Sequence, residues 1–208
     1  MTGLLAEIRP AVAIELGTST GASLRQIVGW SQQVHTFDLA LQVDQTAYPG
    51  VESHIGNSHE LLPQLLASLE ARAEFAQLVL VDGDHSPAGV RQDIVDLLSS
   101  PAIMDCVIAL HDTANESVRR GIDSVPFRDY DSTIAWMDLD FVPSRQRARG
   151  VSEAWGGLGL MLISHDDRGR SGLRALEADR AVDAFRHVRR LVAGGRRVAV
   201  RALRRPGA

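Results

Sequence analysis

The segment Val12-Ala-Ile-Glu-Leu-Gly-Thr-Ser-Thr-Gly21 decides the fold class of this chain. Its first five residues form a short, mostly apolar run of strand length, and a loop with glycine at positions 17 and 21 follows. Residues 22–30 continue with apolar side chains at helical spacing. Glycines let the backbone pass close to a ligand, and the N-terminus of the following helix offers free N–H groups. The segment therefore predicts a strand, a ligand-binding turn and a helix of an α/β fold.

Five further apolar runs have the length of β-strands. They cover residues 34–39, 75–81, 106–110, 134–142 and 158–163. Helical patterns at 58–72 and 87–99 lie between the early runs, with Ser58 and Ser86 as the expected N-caps. This alternation indicates a parallel sheet with helices on both faces, whereas the loop 143–157 indicates an antiparallel last pair. We predict a doubly wound, Rossmann-like, mostly parallel seven-stranded sheet with an antiparallel edge hairpin.

The composition is that of a globular protein, with one unusual charge distribution. Hydrophobic residues make up 45% and charged residues 23% of the 208 residues, which excludes disordered and coiled-coil classes. The net charge of −4 is uneven, because residues 1–167 carry 10 Arg and 23 acids while residues 168–208 carry 12 Arg and 3 acids. We predict one domain over 1–167, followed by a basic amphipathic C-terminal helix and tail over 168–208.

The Arg-rich C-terminal segment bears on possible partners. A positive field attracts phosphate, nucleic acid or an anionic membrane surface, so peripheral membrane contact stays open. Nucleic acid is disfavoured as a substrate because no base-reading motif of the N-P-P-[YF] type is present. A solvated helix face or a subunit contact is a more common use of such a segment, and we expect a homo-oligomer. The lone Cys106 and the absence of a signal peptide or a spanning run predict a cytoplasmic location.

Acidic and imidazole side chains stand at the ends of two of the runs. Asp82, Asp84 and His85 follow the run 75–81, and His111 and Asp112 follow the run 106–110. Because ligands bind at the carboxyl ends of parallel strands, we expect these side chains in one crevice. Carboxylate oxygens suit Mg²⁺, and imidazole shifts the preference toward Mn²⁺, Fe²⁺ or Zn²⁺. The alternative is a set of solvated loop acids and hydrogen-bonded histidines.

The glycine loop differs from two common nucleotide-binding loops. Ser19 stands where a dinucleotide fingerprint has its second glycine, between Gly17 and Gly21, and the lysine of a P-loop is missing. Glu15 offers a carboxylate for a cationic group, and Asp38, about twenty residues on, can accept hydrogen bonds from two ribose hydroxyls. The alternative is a tight strand-to-helix turn beside an exposed acid.

The pattern Glu15-x-Gly17-x-x-x-Gly21 followed by Asp38 resembles the cofactor signature of class I S-adenosylmethionine-dependent methyltransferases. The resemblance continues into Gly56-Asn57-Ser58-His59, which stands where this family contacts adenine. It implies that S-adenosylmethionine lies over the glycine loop. The cofactor-binding residues that it implies are Glu15, Gly17, Thr18, Gly21, Asp38, Ser58, His59 and Asp82.

The pattern V-D-G-D-H-S at 81–86 and H-D-T at 111–113 resembles the metal-dependent O-methyltransferase branch, which includes catechol, caffeoyl-CoA and macrocin O-methyltransferases. The resemblance implies that Asp82, His111 and Asp112 bind a divalent metal, Mg²⁺ or Mn²⁺, and that His85 is the general base. This chain departs from the branch at His111, where a carboxylate is usual, which leaves open a softer metal, a weakly held one or none.

The implied activity is methyl transfer from S-adenosylmethionine to a hydroxyl of a small molecule. Because aromatic residues make up only 5% of the chain, a sugar-like or other polar natural-product acceptor is favoured over a flat phenol. Two alternatives remain. The first is a hydroxylase, because the same scaffold resembles the cephalosporin hydroxylase group, which has a similar D-x-D-H segment. The second is a non-catalytic binding or scaffold protein with a vestigial cofactor pocket.

Overall fold

The computed structural model describes residues 1–40, 42–130, 133–144 and 154–164. Its strands are β1 (Val12–Leu16), β2 (Gln33–Asp38), β3 (Val51–Ile55), β4 (Ala76–Val81), β5 (Ile103–His111), β6 (Ile134–Val142) and β7 (Leu158–Ile163). Its α-helices are α1 (Thr2–Ile8), α2 (Leu24–Val28), α3 (Ser58–Ala71), α4 (Pro87–Leu98) and α5 (Glu116–Asp123).

The strands form one seven-stranded sheet in the order β3-β2-β1-β4-β5-β7-β6. The pairs from β3 through β5 are parallel, and β7 runs antiparallel to both β5 and β6. The predicted α/β fold with its antiparallel edge hairpin is therefore confirmed. The strand order reverses at β1, which pairs with β2 on one side and β4 on the other. In such sheets the ligand crevice lies at the carboxyl ends of the strands beside this reversal.

The strand predictions agree with the structure to within three residues. Those at 12–16, 134–142 and 158–163 match β1, β6 and β7. Strand β3 has no counterpart among the predicted apolar runs. It is an edge strand with Glu, Ser and His at its centre and no fully buried residue, so it lacks the apolar signal of a central strand.

The helix ends correct one prediction and confirm another. Ser58 is the first residue of α3 and not its N-cap. Asn57 holds that position in an extended backbone conformation, and its side chain accepts a hydrogen bond from the His59 N–H. Ser86 does cap α4, accepting from the Gly89 N–H at 3.1 Å. Helix α2 is shorter than the predicted 22–30.

The core lies between the central strands and the helices that cover them. Every residue of β1 is buried, as expected for a strand covered on both faces. Helix α3 turns four buried leucines toward this core at spacings of three and four: Leu62, Leu65, Leu66 and Leu69. The described residues from Arg9 to Ser164 belong to one compact unit, and Met1–Ile8 belongs to another.

Two predictions concern the C-terminal part of the chain. The proposed boundary at residue 167 and the basic helix within 168–208 both lie outside the described residues. Within the described part, no helix combines the length and apolar character needed to cross a bilayer.

Candidate functional site

The glycine loop after β1 is tied to the end of β4. Gly17 has a φ of +93°, and a Cβ atom at this position would lie 2.2 Å from the carbonyl oxygen of Asp82. The Asp82 N–H donates to the Leu16 carbonyl at 2.8 Å, and the Gly17 N–H donates to the Phe37 carbonyl at 2.9 Å. Only glycine fits this close approach, because a side chain there would clash with rigid backbone.

Glu15 lies fully buried beneath this loop. Its Oε1 accepts from the Ser23 hydroxyl, and its Oε2 accepts from the Thr36 hydroxyl at 2.7 Å. The Thr36 hydroxyl also lies 2.6 Å from the hydroxyl of Thr18, which is 2% exposed. Burial raises the pKa of Glu15 to about 7, although both hydrogen bonds act in the opposite direction. The predicted side chains of Glu15 and Thr18 thus face the interior in this structure, where they stabilise the loop from below.

Asp38 lies at the end of β2, opposite the glycine loop. Its Oδ2 accepts from the Ser19 N–H at 2.7 Å, and its Oδ1 accepts from the Ala40 N–H at 3.3 Å. Gly21 closes the loop with a φ of +76°, where a Cβ would lie 2.7 Å from Val43 Cγ1. Asp38 and the predicted glycines therefore meet at one edge of the sheet, as the sequence predicts.

His59, at the start of α3, contacts two acids. Its Nδ1 lies 3.1 Å from Asp93 Oδ1, and its Nε2 lies 3.7 Å from Asp84 Oδ2. Asp93 is fully buried, and burial raises its pKa to about 7. Asp93 is not among the site residues predicted from the sequence, and a helical wheel of α4 places it on the same buried stripe as Val90, Ile94 and Leu97. Ser58, which the resemblance also implies as a cofactor-binding residue, makes no side-chain hydrogen bond to His59 or to its two acidic neighbours.

At the ends of β4 and β5, two imidazole rings approach the same two carboxylate oxygens, Asp82 Oδ1 and Asp112 Oδ2. His111 Nδ1 lies 2.9 Å from Asp82 Oδ1 and 3.3 Å from Asp112 Oδ2. His85 Nε2 lies 3.5 Å and 3.2 Å from the same two oxygens. We call these residues the strand-end cluster: Asp82, His85, His111 and Asp112. Potential ligand atoms of Asp82, His85 and Asp112 all lie within 4.8 Å of one another, a spacing that suits one metal ion.

Within the strand-end cluster, the carboxylates stabilise the protonated imidazoles and the imidazoles stabilise the ionised carboxylates. Hydrogen bonding to Asp82 raises the pKa of both His85 and His111, and burial opposes this rise. Burial would raise the pKa of Asp82, but the two adjacent rings outweigh it and hold the pKa below its usual range. Asp84 lines a small pocket together with Asp82, His85 and His111. Its carboxylate, however, faces His59 and accepts from the Ser86 N–H, so it does not contact the strand-end cluster.

The backbone around Asp112 holds its carboxylate in place. Asp112 has a φ of +53° and is 8% exposed, and its Oδ1 accepts a short hydrogen bond from the Gly156 N–H. Non-glycine residues in this conformation carry strain and are frequent at functional sites. The neighbouring Trp155 ring lies edge-on to the His85 ring at 5.3 Å. This contact places Trp155 beside the strand-end cluster.

Comparison with known proteins places the fold. No protein-family model and no curated protein sequence matches the chain at a significant level. Among solved structures, cofactor-bound Rv0187 from MTB is 17% identical and superposes with a TM-score of 0.56, covering 78% of this chain and 77% of that one. A Klebsiella pneumoniae protein to which O-methyltransferase activity is ascribed is 16% identical with a TM-score of 0.51, covering 78% and 79%. The chain shares a Rossmann-like α/β fold with both structures, as the sequence predicts.

Proposed function

We propose that this protein transfers the methyl group of S-adenosylmethionine to a hydroxyl of a small, polar molecule, with the help of a divalent metal. One observation carries the proposal. The Gly17 loop lies against the Asp82 carbonyl, and the Asp82 side chain belongs to the strand-end cluster. The proposed donor site and the proposed metal site are therefore adjacent on one sheet edge, as in-line transfer between two bound molecules requires.

The donor would lie over the glycine loop at the carboxyl ends of β1 and β2. Asp38 is placed to accept from the ribose hydroxyls, and its present bond to the Ser19 N–H aligns the loop for this. The half-buried ring of His59 stands at the start of α3, where the family resemblance puts adenine. When bound, S-adenosylmethionine supplies an already electrophilic methyl group, so the protein's main task is alignment.

The strand-end cluster fits a divalent metal. Its two carboxylate oxygens already face one point, and each lies within 3.5 Å of two imidazole nitrogens. We propose Asp82, His111 and Asp112 as the ligands, and a bound metal would lower the pKa of a coordinated acceptor hydroxyl. His85 occupies an equivalent position on the same oxygens, so the two rings compete for the roles of ligand and base.

We assign the proton transfer to His85. Its Nε2 faces the two carboxylates of the strand-end cluster, and Asp112 Oδ2, 3.2 Å away, stabilises the ring once it has taken up the proton. The Trp155 ring packs against the His85 ring in a T-shaped arrangement. A vicinal diol, as in a sugar, would chelate such a metal through both hydroxyls, and His85 would take the proton of the hydroxyl that receives the methyl group.

The proposal is tested with methyl-labelled S-adenosylmethionine and a panel of sugar and catechol diols, with Mg²⁺, Mn²⁺ or a chelator. We expect label in the acceptor, loss of transfer with chelator, and at least 100-fold slower transfer by Asp82→Asn. Asp129→Asn is the matched control, because Asp129 is an exposed acid remote from the cluster in the chain. Transfer that persists unchanged in Asp82→Asn would refute the metal assignment, and no label in any acceptor would speak against methyl transfer.

A second candidate function has one specific observation in its favour. The two imidazoles near Asp82 Oδ1 also provide the residue types of the two-His, one-carboxylate set of non-haem Fe²⁺ oxygenases, with Asp112 as a second carboxylate. This arrangement favours the hydroxylase-like alternative. Incorporation of one oxygen atom from labelled O₂ into the product, with iron and an added two-electron reductant that reduces the other oxygen atom, and without methyl transfer, would establish it in place of the first.

A further inference from the structure

A second cluster of imidazole and carboxylate groups lies on β2 and the edge strand β3. Strands β2 and β3 pair in parallel, with His35 opposite Glu52 and Phe37 opposite His54. Residues two apart on a strand share a face, so His35, Glu52 and His54 lie together on one face. The proposed function uses none of the three. Strand β2 lies two strands from β4, about 10 Å across the sheet.

The three side chains are spaced as ligands of one ion. His35 Nδ1 lies 3.1 Å from His54 Nε2 and 3.5 Å from Glu52 Oε2. His54 Nε2 lies 3.7 Å from Glu52 Oε1. Ligands bonded at about 2.0–2.2 Å to a tetrahedral ion are about 3.4 Å apart. All three separations lie close to this value, so an ion fits between the groups with small side-chain movements.

The surroundings hold both rings in place. His35 is fully buried, and its other nitrogen, Nε2, lies 2.9 Å from the Gln33 side-chain amide. With the amide turned to present its oxygen, Gln33 accepts from the Nε2–H and leaves the Nδ1 lone pair free for an ion. His54 stacks on the buried Phe37 ring at 4.4 Å with an interplanar angle of 13°. A metal site needs this kind of support around its ligands.

Access and charge also fit a cation. The Glu52 side chain is 61% exposed and that of His54 is 18% exposed, so the cluster opens to solvent on the Glu52 side. The nearby Arg72 is paired with Glu74 at 3.1 Å, which offsets its repulsion of a cation.

We propose that His35, Glu52 and His54 bind a divalent transition-metal ion, with Zn²⁺ the preferred one. Two imidazoles and one carboxylate form a typical zinc ligand set, whereas Mg²⁺ and Ca²⁺ prefer oxygen ligands throughout. The fourth position faces solvent and is open to water. The bound ion would link the edge strand β3 to β2. This inference does not depend on the methyltransferase proposal.

The test is a Zn²⁺ titration of the full-length, metal-stripped protein against a chromophoric chelator. It is carried out in an Asp82→Asn background, so that binding at the strand-end cluster is suppressed. We expect one equivalent of Zn²⁺ to bind, with at least tenfold weaker binding in Glu52→Gln. Glu70→Gln is the matched control, because Glu70 is an exposed acid on α3, and it should retain the affinity of the background protein.

A spectroscopic measurement distinguishes ligation from a change in folding. In protein labelled with ¹⁵N-histidine, Zn²⁺ should shift the ring nitrogens of His35 and His54 in the background protein, and Glu52→Gln should require more Zn²⁺ for the same shifts. Absence of binding in the background protein would overturn the proposal. Equal affinity of Glu52→Gln and Glu70→Gln, or unshifted His35 and His54 resonances at one equivalent of Zn²⁺, would overturn it as well.

Discussion

Replacement of Glu15 by Gln tests the electrostatics of the glycine loop. Glu15 is fully buried and accepts from the hydroxyls of Ser23 and Thr36. A glutamine of nearly equal shape keeps the bond from Ser23. It also donates to Thr36, because the hydrogen bond between the Thr36 and Thr18 hydroxyls can run in either direction. The substitution therefore removes the titrating group with little change in packing.

The expected magnitude follows from the pKa of Glu15, which burial raises from 4.5 to about 7. Between these two values the folded state holds a proton that the unfolded state has lost. Stability therefore falls as the pH rises through this interval and levels off above the folded-state pKa. One pH unit corresponds to a little over 1 kcal/mol, so the total is about 3 kcal/mol, and most of it falls between pH 5 and pH 8.

The assay is urea unfolding of wild type and Glu15→Gln at pH 5 and pH 8. The variant should gain about 2 to 3 kcal/mol relative to wild type between the two pH values, since other groups titrate equally in both proteins. Glu70→Gln, at an exposed position, is the control for the loss of one acid. A stability difference between variant and wild type that stays constant within about 0.5 kcal/mol would show that Glu15 ionises normally and refute the argument.

Three further variants separate fold from site. Gly17→Ala should lose about 2 kcal/mol or more of stability in thermal unfolding, because its Cβ would lie 2.2 Å from the Asp82 carbonyl at a positive φ; a stable variant that still binds S-adenosylhomocysteine would contradict this. His85→Ala should lower kcat about 100-fold and keep S-adenosylhomocysteine affinity within about twofold in calorimetry, and unchanged turnover at neutral pH would rule out His85 as the base. Leu69→Ala, at a fully buried position, should lower the free energy of unfolding in urea by about 3 kcal/mol and leave the S-adenosylhomocysteine affinity of the folded protein unchanged. A loss of stability below about 1 kcal/mol would contradict the place of Leu69 in the core.

The sequence predicts the central strands because they are apolar on both faces. In β1 every residue is buried, so the run is visible without any partner information. The edge strand β3 is half exposed and carries polar residues, so its signal resembles that of a loop. The same reasoning explains Ser58, since Asn57 and Ser58 are both good caps and only the backbone conformation distinguishes them.

The strand-end residues are predictable because the carboxyl ends of parallel strands meet at one edge. Asp82 and His111 are brought together by this rule alone. The cluster of His35, Glu52 and His54 depends instead on the register between β2 and β3, which no single-strand pattern contains. The contact between Trp155 and His85 likewise depends on how a loop returns to the sheet.

Calorimetric titration with S-adenosylhomocysteine tests the central claim most directly. Wild type should bind with a Kd in the micromolar range, and Asp38→Ala should bind at least tenfold more weakly. Asp38→Asn, which keeps an acceptor for the Ser19 N–H, should fall between the two and separates ribose binding from loop alignment. The absence of binding heat in wild type at hundreds of micromolar ligand, with the protein folded, would contradict the account.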